Sequence, residues 1–445
     1  MSAAWVACAA LGFTAVQEPA SPAPRARIVV AVSVDQLVPE SLDRLAPWLT
    51  GGLGRFMRDG RVFPRAALLH GDTETGPGHA AYGTGRLPRH NGVISNDWLA
   101  RDARASVYCY ADPDSREVTS GGVQADAASS PRQLRCDGMA DYIEAAVPGA
   151  LTVAIGSKDR SAIGMSGRRA DLALWWDKKR GGFRSSTWYG TELPAWVREH
   201  NASWQARLPF ATGWESELPA DFARSGTAPD ERVGKGRWVA ALSADHGVLE
   251  LPETLAAEGY PARRITGREI ADTIKDARNA ISARFGADFF LSGNYRGLRL
   301  DARALAERGV DARAVREAYA SELRKFGAGW MEHALTWDEL RAIARDGAKA
   351  PNGLAAMEAN SFDEERTSDV VTLQKPYTLP GVVVGTSHGT PHEYDRRIPL
   401  AFLGAGVTAG RDYRAASSID ALPTLFTLAG LPVPPGLDGR ALPLR

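Results

Sequence analysis

The chain has 445 residues, 44% hydrophobic and 24% charged, and its 53 basic and 53 acidic side chains leave no formal net charge. This composition is that of an ordinary globular protein. It argues against a nucleic-acid binder, which needs a basic surplus on its surface. The length permits two or three domains, yet large α/β enzymes often use as much chain for one.

In chain order, residues 1–17 hold an apolar run with Trp5, Val6, Leu11 and Phe13, too short to span a bilayer comfortably and suited to a signal-peptide core. No Lys or Arg precedes it, so the usual positive leader is missing. Residues 18–27, rich in Pro and Ala, read as an exported linker. A periplasmic or secreted protein is expected, with no transmembrane segment in the mature chain and one domain over residues 28–445. Cys8 lies in the leader. Cys109 and Cys136 could pair in an oxidising compartment or stay as buried thiols, and both readings remain open.

Short continuous apolar runs, the mark of strands buried on both faces, occur at Ile28–Val34, Leu151–Ile155, Trp238–Ser243, Val382–Gly385 and Leu400–Leu403. Helical patterns intervene. One spans Pro131–Ala146 behind Ser130 as N-cap; another spans Ile419–Ala429, capped by Ser418 and closed by Gly430 and Pro432. The alternation predicts an α/β/α sandwich around a central, mostly parallel sheet. Two stretches, about Asp97–Pro229 and Leu251–Leu379, read as insertions over its carboxyl edge; the second includes an amphipathic helix near Asp311–Phe326.

In such sheets ligands bind beyond the carboxyl ends of the strands. Asp35 follows the first run, Ser157-Lys158-Asp159-Arg160 the second, Asp245-His246 the third and Thr386-Ser387-His388 the fourth. Asp35, Asp245, His246 and His388 are hard or borderline ligands suited to Zn²⁺. Thr75, in Thr73-Glu74-Thr75-Gly76-Pro77-Gly78-His79, falls where a loop enters a helix, a position that favours an anion and can present a nucleophilic hydroxyl, or simply cap the helix. Lys158 and Arg160 stand two apart, so on a strand both would face the cleft and could bind phosphate oxygens. Asn96 could donate to a phosphoryl oxygen or simply make a turn.

At these residues the chain resembles the alkaline phosphatase superfamily, and within it the phosphate-irrepressible bacterial alkaline phosphatases with a threonine nucleophile. The blocks that carry the resemblance include Val32 to Gln36, Thr75 to His79, Gly92 to Trp98, Ser157 to Arg160, Ser243 to Gly247, Thr386 to Gly389, Tyr394 to Leu400 and Gly436 to Gly439. The resemblance implies hydrolysis of small-molecule phosphate monoesters through a phosphothreonine on Thr75. It implies one Zn²⁺ held by Asp35, Thr75, Asp245 and His246, a second with His388 as ligand, and phosphoryl contacts from Asn96, Lys158 and Arg160. The formylglycine precursor of the similar sulfatases is absent.

The pattern breaks at one point. The family carries an Asp with a His four residues later between the Lys-x-Arg and Asp-His blocks, to complete the second zinc site. None of the eight histidines here has an Asp four residues before it. The chain reads as a family member with an internal deletion near Pro229–Glu231, so a catalytically impaired relative that binds phosphoesters is the alternative expectation. His392 and Glu393 are the nearest candidates to replace the missing ligands.

Overall fold

The computed structural model describes residues 26–101, 105–205, 234 and 236–444. The leader, Cys8, most of the linker and the deletion point therefore lie outside the described residues. The strands of the two larger sheets are β1 (Ile28–Ser33), β2 (Arg61–Val62), β3 (Ala111–Thr119), β4 (Gly122–Ser129), β5 (Val153–Gly156), β6 (Leu172–Trp176), β7 (Phe183–Ser186), β8 (Trp238–Ser243), β9 (Leu400–Gly404) and β10 (Gly410–Arg411). The first sheet has the order β1-β8-β9-β2-β10 and the second β4-β3-β7-β6-β5.

The α/β class follows the alternation of the sequence, but the strand directions are mixed. β1 pairs in parallel with β8, in register from Ile28 opposite Trp238 to Ser33 opposite Ser243. β9 runs antiparallel to β8 and β2. In the second sheet only β5 and β6 are parallel, because β3 and β4 form a hairpin that pairs antiparallel with β7. Apolar runs report burial rather than direction, which is why the direction was not legible.

Val239 and Ala241 of β8 and Phe402 of β9 pack on Leu422, Leu425 and Phe426 of the helix Ala421–Ala429. Two expected elements differ. Val382–Gly385 is not a strand: Gly381 and Gly385 take positive φ, Val383 and Val384 are almost fully exposed, and no strand among the described residues pairs with it. Pro131–Ala146 splits into a 3-10 turn capped by Ser130 and a helix from Met139, with Gly138 between them donating its N–H to Asp141.

Residues 251–379 build a four-stranded antiparallel sheet backed by the helices Gly267–Phe285 and Ala312–Phe326, the latter capped by Asp311. Cys109 and Cys136 are both free thiols. No described helix is long and apolar enough to cross a membrane.

Candidate active site

Two adjacent strands, β1 and β8, place the first candidate ligands. β1 and β8 are hydrogen-bonded neighbours that end together, so Asp35 and the Asp245-His246 pair emerge side by side. The ligand atoms of Asp35, Asp245 and His246 lie within 4.8 Å of one another. Asp245 is held from two directions: the N–H groups of His246 and Gln36 both donate to Oδ1, at 3.0 and 3.2 Å. Gln36 reaches it through an unusual positive φ of 60°.

His246 Nδ1 lies 2.8 Å from the Gly247 carbonyl, a contact that requires Nδ1–H and leaves Nε2 as a bare lone pair. That lone pair stands 3.3 Å from Asp245 Oδ2. Both atoms are buried and without a hydrogen-bond partner. Two acceptors facing each other in a buried site call for a cation between them, and N and O donors suit zinc. The Lys158 ammonium already contacts the Asp35 carboxylate. Burial raises the Asp35 pKa, but the hydrogen bond and charge of Lys158, with the His246 ring, outweigh it and hold the carboxyl below its usual range.

Thr75 is the first residue of the helix Thr75–Thr84, as its sequence position predicts, and is almost completely buried. Lys158 Nζ lies 3.4 Å from its hydroxyl oxygen. The Gly76 N–H donates to Asn96 Oδ1 at 2.7 Å, which fixes the Asn96 amide beside the helix start. Glycine at position 78 is a packing necessity. A Cβ there would stand 1.9 Å from the Asp245 carbonyl oxygen, so any side chain would push the Thr75 helix off the end of β8.

Arg160 departs from its predicted geometry. Residues 159–166 form a helix with Lys158 at its N-cap, so strand alternation does not apply. Arg160 instead points its guanidinium at the Tyr108 hydroxyl, 3.4 Å away. His388 is stacked on His246, ring centroids 3.5 Å apart, with Nδ1 2.9 Å from the Thr73 carbonyl oxygen. Burial, then the adjacent His246 ring, push its pKa to about 4, so it stays neutral. Among the described residues no further Asp, Glu, Cys or His joins His388 in a ligand cluster. His392 Nε2 contacts the Gln374 carbonyl and Glu393 is exposed, and neither belongs to the ligand cluster found among the described residues.

Sequence reading missed one device. Glu74, immediately before Thr75, accepts from Asn96 N–H at 2.7 Å and from the Ser95 hydroxyl at 3.0 Å, and pairs with Arg296 at 2.9 Å. Arg296 also donates to Asp72 at 3.0 Å. Glu74 could have been suspected from its position beside Thr75. Arg296 belongs to the 251–379 region and carries no local signal.

Residues 29–224 match the family model of type I phosphodiesterase / nucleotide pyrophosphatase. Alkaline phosphatase PhoK of Sphingomonas sp is 26% identical over 94% of this chain and 91% of its own, and alkaline phosphatase PafA of Elizabethkingia meningoseptica 24% identical over 94% of both. The crystal structure of wild-type PafA superimposes with a TM-score of 0.81 at 22% identity, covering 95% of this chain and 99% of that one. The mixed α/β fold matches that of PafA. Over nearly its whole length the chain is similar to bacterial alkaline phosphatases. The aligned stretch with the Elizabethkingia protein runs to 529 positions, more than this chain's 445 residues, so that relative carries internal residues with no counterpart here.

Proposed function

We propose that the chain hydrolyses small-molecule phosphate monoesters, with the Thr75 hydroxyl as nucleophile and a phosphothreonine as intermediate. The observation that carries this reading is the convergence of Asp35, Asp245 and His246 beside Thr75, with Lys158 bridging toward the hydroxyl. Asp35, Asp245 and His246 would hold a zinc ion, and the chemistry it supplies when bound is positive charge that favours the ionised hydroxyl.

The other residues act by charge and position. Lys158 offsets the charge of a dianionic phosphoryl group at the helix start. Asn96 is held so that its amide borders the same position, by its contacts to Gly76 and Glu74. The Arg296–Glu74 pair keeps the backbone before Thr75 in one geometry. Arg160 would turn from Tyr108 to reach the phosphoryl group.

A second reading has its own observation. Among the described residues no further metal ligand joins His388, so they do not provide for leaving-group stabilisation by a second ion, and slow release or mere binding of phosphoesters follows. Zinc counted per chain, aryl-phosphate hydrolysis and mass spectrometry of Thr75 decide between them. Steady turnover lost in Thr75→Ala supports the hydrolase; phosphothreonine that accumulates without turnover supports the impaired relative. Equal activity of wild type and Thr75→Ala would remove the nucleophile from the reading.

A further inference from the structure

The 251–379 region reaches the site through arginines that donate to backbone carbonyls. Arg299, on the strand Gly297–Leu300, is fully buried; its Nε donates to the Leu99 carbonyl at 3.1 Å and its Nη2 to the Glu365 carbonyl at 2.9 Å. Arg366, also buried, donates from Nη1 to the Gly92 carbonyl at 2.5 Å. Its guanidinium lies over the Trp98 ring, 4.5 Å from the centroid. Gly92, Trp98 and Leu99 belong to the arm 92–99 that carries Asn96. Each end of that arm is gripped by an arginine.

The two arginines are also fixed to each other. The strand Gly297–Leu300 pairs antiparallel with Val370–Gln374, and the Asp369 carboxylate accepts from the Leu300 N–H at 3.0 Å. The Glu365 carbonyl that Arg299 holds belongs to the residue just before Arg366. Between the gripped ends, Asn96 Oδ1 accepts from the Gly76 N–H, and its own N–H donates to Glu74. Burying a guanidinium is costly, and an apolar side chain of similar volume often serves stability as well. What arginine adds is a planar fork that holds two carbonyls in one fixed relation. Arg299 does this for Leu99 and Glu365, and Arg366 for Gly92 and Gln133.

We propose that Arg299 and Arg366 are positioning residues for Asn96: by tying both ends of the arm 92–99 to the 251–379 sheet, they set where the Asn96 amide meets a phosphoryl oxygen. Both act through Asn96 and not by contact with the phosphoryl group. The 251–379 region thereby takes part in phosphate recognition, although Arg299 and Arg366 lie more than two hundred residues from Asn96 in the chain. The inference rests on the phosphomonoesterase reading, because Asn96 has this role only where a phosphoryl group lies at the start of the Thr75 helix.

The probe is inorganic phosphate, with its Kd read by titration calorimetry on the full chain supplied with zinc. Arg299→Met, Arg366→Met and Asn96→Ala should each weaken binding about tenfold, with bound zinc unchanged. In the Asn96→Ala background either arginine variant should weaken it by less than about a further twofold, since the group it positions is gone. A merely structural role, or the loss of a distant positive charge, would give the same factor in both backgrounds, and that additivity overturns the proposal. So does undiminished binding in Asn96→Ala or in both arginine variants. Should the arginine variants fail to fold, Trp98→Leu carries the same cycle, because it keeps both guanidinium groups and removes the ring beneath Arg366. A wild-type chain that binds no phosphate removes the phosphomonoesterase reading and this inference with it. Additive losses in a chain that does bind phosphate remove the inference alone.

Discussion

The two halves of the site are built differently. On one side Asp35, Asp245 and His246 come from the ends of two adjacent, hydrogen-bonded strands, with backbone N–H groups fixing Asp245 and a carbonyl fixing the His246 tautomer. On the other side His388 leaves an irregular loop, lies flat on His246 and has only the Thr73 carbonyl to orient it. The difference teaches that a ligand set is a property of neighbouring strands. β1 and β8 supply each other's missing ligands, whereas the strand that would flank β1 on its free edge, with whatever side chains it would bring, is absent from the described chain.

The comparison can be broken most sharply at Thr75. Thr75→Ala should lower aryl-phosphate hydrolysis about 10³-fold or more, read as initial rates. Next comes metal content. His246→Ala should bring bound zinc from about one equivalent to background, while His388→Ala should leave it nearly unchanged. Two equivalents in the wild type, or equal losses in both variants, would erase the distinction between the halves.

Smaller effects sharpen the anion-binding side. Lys158→Ala should reduce kcat/KM about 10²-fold and Arg160→Ala about tenfold, since Lys158 lies against the Thr75 hydroxyl whereas Arg160 is turned to Tyr108. The reverse ranking would mean that Arg160 swings in to carry the phosphoryl group.

The smallest predicted effect is on stability. Burial, and then the Asp72 carboxylate, push the Glu358 pKa from 4.5 to about 8. Between those two pH values the folded chain holds a proton that the unfolded chain has lost, so this contribution is complete below pH 4.5 and disappears as pH rises through 8. Glu358→Gln should therefore lose less Tm between pH 6 and pH 9 than the wild type, by about 2–4 °C in a thermal melt. Parallel melting curves against pH would contradict the buried-acid assignment.

The convergence of Asp35, Asp245 and His246 was legible because these residues follow apolar runs that are strands. The strands ending at Ser33 and Ser243 were readable from burial, and the residues after them had to meet at a sheet edge. The N-terminal position of Thr75 was readable from Gly76-Pro77-Gly78. Arg160 was misjudged because strand alternation was extended past residue 157, where a helix begins. Val382–Gly385 was misjudged because an apolar run cannot reveal whether a partner strand exists.

The sequence by itself determined the α/β class, the order of the motifs and the lack of an Asp-x-x-x-His element, since these depend on local periodicity and residue identity. Only the tertiary structure decided the strand directions, the order of strands in each sheet and the Arg296–Glu74 pair. Those depend on which residues distant in the chain become neighbours, and no short-range pattern encodes that.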